Sequence, residues 1–211
     1  MKIRENMHVL LLKGGFGSER EVSLNSAKAC SKAIKENGFI VTEVDIAKMN
    51  VNKLISLKAD VCFNALHGNS GENGSIQGLL NLLKIPYTHS GVAASAISMN
   101  KIYFKRLIVN TTESTDDPII FPRTLQINEG EKLSIKNYNG LYVLKPKSGG
   151  SSLGVKIVKG QNDIPLKNEF KWKDLMAEEF VGSMELTVTV LKDKPLCVTE
   201  IKAAQNEEFY N

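Results

Sequence analysis

The first hundred residues alternate between two hydrophobic periods, and that alternation restricts the fold more than any other feature of the chain. Met7 to Lys13 is a β-type apolar run ending in Gly14-Gly15-Phe16-Gly17. Ser18-Glu19-Arg20-Glu21 then matches the S-x-x-E capping box, in which a Ser hydroxyl and a Glu three residues on satisfy the open N–H groups of a helix start. Leu24, Ala27, Cys30 and Ile34 follow at helical spacing, and Gly38 supplies the stop. Ile40, Val44 and Ile46 alternate as a second strand, Asn52 to Lys58 is a short amphipathic piece, and Ala59 to Leu66 is a third strand. The order β-α-β-α-β predicts a parallel sheet with helices on both faces. Ligands of such sheets bind beyond the carboxyl ends of the strands, here Gly14 to Glu19 and His67 to Gly74. The second of these segments holds three glycines, a His and a Glu directly after a buried strand. Ile76, Leu79, Leu80 and Leu83 form a helical stripe of core, and Ile85-Pro86-Tyr87 is a short edge strand. Ser90-Gly91 opens a further helix through Ala93, Ala94, Ile97 and Lys101.

The pattern then changes. Thr111 to Pro118 has the turn and charge composition of a connector. Beyond it strands succeed one another: Ile119 to Ile127, Leu141 to Lys145, Leu153 to Val158, Leu175 to Phe180, Glu185 to Leu191 and Leu196 to Ile201. A second module with antiparallel character therefore begins near residue 100. A chain of 211 residues, 42% hydrophobic and 24% charged, can bury such cores. Its net charge of +4 comes from dispersed basic residues, which suits a small anionic ligand and does not suggest nucleic acid. The apolar run Val9 to Leu12 is too short and too interrupted for a signal peptide, and no stretch approaches transmembrane length. Cys30, Cys62 and Cys197 are odd in number, far apart and each in an apolar run, so they are expected as buried thiols of a reducing cytoplasm.

Within the second module, Gly140 to Lys159 reads as strand, loop, strand around Ser148-Gly149-Gly150-Ser151-Ser152. Small residues let backbone N–H groups approach an anion such as a phosphate, and Lys145 and Lys147 add positive charge at the root. The loop is not a P-loop, whose Lys follows the last Gly and precedes a helix. On its own residues it is either a phosphate lid or a plain Gly-rich hairpin.

Four segments in order resemble the D-alanine–D-alanine ligases of the ATP-grasp superfamily. They are Gly14-Gly15 with Ser18 to Leu24, Ala65-Leu66-His67-Gly68 with Gly71 to Leu80, Ile85 to Val92 with Met99-Asn100-Lys101, and Lys145-Pro146 with Gly150 to Val155. The resemblance spans nearly the whole chain. It implies an α/β fold with an N-terminal parallel-sheet (pre-ATP-grasp) domain over residues 1–98. A central α+β ATP-grasp domain, 99–178, and the beginning of the C-terminal ATP-grasp domain, 179–211, would follow. The reaction implied is ATP-dependent joining of two D-alanines through an acyl phosphate, for peptidoglycan synthesis, in a cytoplasmic homodimer with no membrane or nucleic-acid partner.

By the same resemblance, Lys101 and Lys145 match the two lysines on the phosphate side of ATP. Backbone N–H groups of Gly149, Gly150, Ser151 and Ser152 would cover the transferring phosphate. Glu19 matches the carboxylate that holds the first D-alanine's ammonium, Ser151 the hydroxyl paired with it, and His67 a histidine near the reacting carboxyl. Glu178, Glu179 and Val181 look like the segment that receives adenine and ribose, and Glu185 matches a ribose-binding glutamate. Without the resemblance, Glu19 reads as a helix-start carboxylate, His67 as a hydrogen-bonded surface histidine, Ser151 as a turn residue and Glu185 as an exposed strand residue.

Two departures stand out. Asn100 replaces an Asp, and Gly182-Ser183-Met184 replaces the more usual x-Gly-Arg before the glutamate. Glu208-Phe209-Tyr210-Asn211 resembles the start of a family loop whose Lys and Tyr, with an arginine and the Asp, Glu and Asn that hold Mg2+ (or Mn2+), would lie beyond residue 211. No upstream carboxylate cluster replaces that metal site, and Glu207 and Glu208 sit in a polar tail. The expectation is a chain with no metal site of its own and little or no turnover, with strands near Glu185 to Ile201 left uncovered. The alternatives are another ATP-grasp carboxylate–amine ligase and a non-catalytic nucleotide-binding remnant.

Overall fold

Strand β1 (His8–Lys13) is the middle strand of the first sheet, between β2 (Ile40–Asp45) and β3 (Val61–Asn64), and both pairings are parallel. The protein is described from a computed structural model, which covers residues 6–129, 133–135, 138–160, 172–182 and 184–202. Because successive side chains of a strand point to opposite faces, β1 feeds two cores. Leu10 and Leu12 pack with Leu54, Cys62, Leu66, Ile76, Leu80 and Ile85 on one face, under α2 (Val51–Ser56) and α3 (Ser75–Leu82). Leu11 packs with Ala27 and Ala65 on the other, under α1 (Arg20–Glu36). Helices thus cover both faces, as the alternation predicts. Tyr87 adds a parallel bridge to Cys62 at the β3 edge.

Helix α1 ends as its sequence predicts. Gly38 takes φ +83° and donates to the Lys35 carbonyl, while Phe39 donates to Ile34, the paired bonds of a Schellman stop. Its start differs from expectation. The N-cap is Glu19, which makes no side-chain cap, so the Ser18–Glu21 capping box does not form. The helix through Lys101 is also corrected. It ends at Met99 (α4, Val92–Met99), Asn100 breaks it with ψ 106°, and α5 (Lys101–Thr112) starts afresh. The Asn100 Oδ1 accepts from the N–H groups of Ile102 and Tyr103 at 3.1 and 3.2 Å, a helix cap that Asn and Asp supply alike.

The chain divides into two compact units, Met1–Phe104 and Lys105–Asn211. The second contains a four-stranded antiparallel sheet in the order β4 (Thr124–Leu125), β9 (Leu175–Glu179), β7 (Tyr142–Pro146), β8 (Lys156–Val158). Two-stranded ladders join β5 (Ile127–Glu129) to β6 (Leu133–Ile135) and β10 (Glu185–Leu191) to β11 (Lys194–Ile201). The expected run Ile119 to Ile127 yields only short β4 and the start of β5, because Pro118 and Pro122 cannot donate to a ladder. Leu153 to Val158 likewise pairs only from Lys156. One face of the four-stranded sheet carries the core of Leu125, Tyr142, Leu144, Val158, Leu175 and Ala177. The registers Thr124↔Glu178 and Val143↔Glu178 put Thr124, Val143, Lys145 and Glu178 on the opposite face.

Of the cysteines, Cys62 is buried and its thiol is pushed up to about 12 by burial, so it stays protonated. Cys30 is partly buried. The expectation fails for Cys197, which lies exposed on β11, where neither face of the strand is covered.

Candidate functional site

In the first unit the loops after β1 and β3 are built around small and polar residues. Gly14 and Gly15 turn the chain with φ +78° and +96°. A Cβ at Gly14 would collide with Asp45 and Arg20. The Gly14 N–H donates to Ser23 Oγ at 2.8 Å, and Ser23, fully buried on α1, donates to the Ala65 carbonyl at 2.7 Å. One hydroxyl therefore ties both loops together. Arg20 clamps Asp45 with two hydrogen bonds of 2.9 and 2.5 Å, and the guanidinium holds the Asp45 carboxyl down at about 2.

The loop His67 to Gly74 is shaped from within. Asn64 Nδ2 and Gln77 Nε2 both donate to the Gly71 carbonyl, at 3.0 and 2.7 Å, and Asn64 Oδ1 accepts from Leu66 N–H. Gly68, with φ +64°, lies against Glu19, since a Cβ there would overlap Glu19 Oε2. The structure thus brings Glu19 and the His67 loop together. His67 Nε2 is 3.3 Å from Ser26 Oγ, and its Nδ1 is 3.9 Å from Glu72 Oε1. Glu72 also accepts from the Gly68 N–H at 3.1 Å. Ser23, Ser26 and Glu72 are absent from the sequence-derived set. Ser26 was within reach of sequence reasoning, because it falls two helical turns after Glu19 on one helix face.

In the second unit Lys145 projects from the polar face of the sheet onto Glu178 Oε2. Lys105, from α5, meets Oε1 of the same carboxylate at 2.7 Å. Burial pushes the Glu178 carboxyl up, and the hydrogen bonds from Lys105 and Lys145 outweigh it, so the group is held below its ordinary value. Glu179 points the other way and meets Arg123 Nε at 3.4 Å. Past Lys145 the loop runs through Gly149 (φ +119°), Ser151 (+51°), Ser152 (+52°) and Gly154 (+73°). Two serines in the left-handed region explain why β8 starts late: that conformation cannot continue a pleat, and each costs roughly 1–2 kcal/mol. A Cβ at Gly149 or Gly150 would meet nothing within 4 Å, so the backbone there faces open space. Lys147 fastens the loop root by donating through its N–H to Asp174 O at 2.7 Å.

Lys101 belongs to the first unit as the first residue of α5. Val181 is exposed beyond β9. Glu185 stands on the separate β10–β11 hairpin and is exposed, as strand periodicity alone suggests. Ser183 and residues Glu207 to Asn211 lie outside the described residues. Among the described residues there is no group of three or more His, Cys, Asp and Glu that could hold a metal ion, and the magnesium ligands that the resemblance implies are expected beyond residue 211.

Among solved structures, the D-alanine–D-alanine ligase of Bacillus anthracis superposes with a TM-score of 0.76 at 28% identity, covering 93% of this chain and 64% of that one. The same enzyme complexed with ATP gives 0.77 at 26% identity, covering 95% and 67%. The fold is therefore the mixed α/β ATP-grasp architecture of these ligases. Models described as "D-ala D-ala ligase N-terminus" and "D-ala D-ala ligase C-terminus" match residues 50–90 and 124–211. Proteins named D-alanine--D-alanine ligase from Parvibaculum lavamentivorans and Methylobacterium radiotolerans are 41% and 43% identical over 209 and 208 residues. The chain belongs to the D-alanine–D-alanine ligase family. It spans 65% and 66% of the length of those two relatives.

Proposed function

We propose that this chain supplies the first-substrate loops and the phosphate-facing sheet of an ATP-dependent D-alanine–D-alanine ligase. In that reaction a carboxylate oxygen of one D-alanine attacks the γ-phosphorus of ATP, releasing ADP and forming an acyl phosphate. The amine of a second D-alanine then attacks the acyl carbon, phosphate departs, and the nitrogen loses a proton. Phosphoryl transfer of this kind depends on positioning and charge neutralisation more than on covalent work by the protein. The observation that carries the reading is the pairing of Lys145 with buried Glu178 at the root of a loop whose glycines face open space.

In this reading Lys145 and Lys101 meet the phosphates, and the N–H groups of Gly149 to Ser152 cover the transferring group and exclude water that would hydrolyse the acyl phosphate. Glu19, set against Gly68, takes the ammonium of the first D-alanine, and Ser151 supplies the hydroxyl that the family resemblance pairs with it. His67, bracketed by Ser26 and Glu72, stands near the reacting carboxyl. Glu178, Glu179 and Val181 receive adenine and ribose, and Glu185 the ribose. Peptidoglycan synthesis, a cytoplasmic location, a homodimer and magnesium complete the assignment as the family resemblance implies them.

Calorimetry with a non-hydrolysable ATP analogue and with D-alanine tests the reading. Saturable one-to-one binding of the analogue, with amide NMR shifts on D-alanine addition centred on Glu19 and Gly68, is expected. Absence of analogue binding would overturn it.

A further inference from the structure

The geometry points to Lys105 as a positioning residue: a fixed counter-charge for Glu178 that lets Lys145 leave that carboxylate for the phosphates of a nucleotide. The inference rests on the nucleotide reading of the Lys145 loop. The two lysines share one carboxylate but are held differently. Lys105 Nζ donates to Glu178 Oε1 at 2.7 Å, to Thr124 Oγ1 at 2.9 Å and to the Pro122 carbonyl, and it lies 5.9 Å from the centre of the Phe121 ring. An ammonium has three N–H donors, and these three acceptors use them all. Its side chain is 15% exposed, against 25% for Lys145. Lys145 comes from the strand that leads directly into the loop.

The Glu178 side chain is 7% exposed. An ionised carboxylate so deep in a protein is costly unless it is paired, and removing one partner of a buried pair leaves an uncompensated charge. Were Lys145 the sole counter-charge, turning it toward a phosphate would strand Glu178. With Lys105 fixed on the other oxygen, Glu178 stays paired throughout and Lys145 is released. Lys105 itself touches no nucleotide in this arrangement. It lies 73 residues from its carboxylate in sequence, so no local motif marks it.

A double-mutant cycle tests this. Affinity for a non-hydrolysable ATP analogue is measured by calorimetry for the wild-type chain, Lys105→Met, Glu178→Gln and the double variant, with melting temperatures recorded alongside. Lys105→Met is expected to weaken binding at least tenfold. In the Glu178→Gln background, where no charge can be stranded, the same change should cost less than threefold. Lys105→Arg, which keeps the charge, should restore affinity to within threefold of wild type. An equal loss in both backgrounds would reduce Lys105 to a staple between α5 and the Pro122–Thr124 segment and overturn the inference. So would unchanged affinity in Lys105→Met. Should Lys105→Met fail to fold, Lys105→Gln, which keeps donors for Thr124 and Pro122 without the charge, runs the same cycle with the same two outcomes. A wild-type chain that binds no analogue overturns the functional reading and this inference together. Binding without coupling overturns the inference alone.

Discussion

Replacing Lys145 with Ala leaves Glu178 paired to Lys105, so the cost should fall on ligand affinity rather than on folding. A charge-assisted contact contributes about 1.5–3 kcal/mol, which corresponds to roughly tenfold to a hundredfold weaker ATP-analogue binding. Calorimetry checks this, and unchanged affinity would remove Lys145 from the phosphate site. A second residue-scale outcome concerns acid. Asp45 is held at about 2 by Arg20, and Glu43 at about 2 by hydrogen bonds from Lys13 and then Ser31. Both folded values lie below the ordinary carboxylate range. Their stabilisation is therefore complete above about pH 4.5 and is lost as pH falls toward about 2. Urea midpoints should drop across that window, and Asp45→Asn should flatten the drop while lowering stability at pH 7 by about 1.5–3 kcal/mol. Glu19, His67 and Lys145 stood out as candidates in the sequence through the family resemblance, because each lies inside one of the matched segments. Ser23 and Lys105 could not, because their partners, Ala65 and Glu178, come into reach only once distant strands have paired.

Among the elements, the most readable ends were those closed by local backbone chemistry. The stop of α1 at Gly38 was legible because a Schellman turn needs a left-handed residue, and Gly takes that conformation without strain. Gly38→Ala should cost about 1 kcal/mol, read from the urea midpoint, since the φ alone penalises a Cβ that would otherwise meet nothing. The start of α1 was misread. Ser18 and Glu21 have the right spacing, but the cap falls one residue later, on Glu19, whose carboxylate lies against Gly68. Strand β8 was predicted too early because hydrophobicity at Leu153 and Val155 does not register the left-handed serines before them. At Gly150 the Cβ space is open and φ is unexceptional, so Gly150→Ala should leave the melting temperature within about 2 °C of wild type. Its effect should appear as weaker nucleotide binding, and equal affinity would exclude close backbone approach at that residue.

For the whole molecule, the β10–β11 hairpin presents a run of exposed apolar side chains. Cross-strand register sets Val188 opposite Val198, with Leu186 two residues before it on the same face, and all three are exposed. A paired ribbon with a solvated apolar face is a template for self-association. Sedimentation should show concentration-dependent association in the micromolar range, reduced by Val188→Lys or Val198→Lys. The architecture as a whole was legible because the change from alternating elements to successive strands survives errors of a few residues at any boundary. The polar sheet face holding Lys105, Lys145 and Glu178 carries one last implication, for descent. Loss of Glu178 alone would bury two unopposed ammonium groups, and loss of Lys105 alone would tie down Lys145. Positions 105 and 178 should therefore vary together across natural relatives, exchanging a charged pair for a neutral one in a single linked step.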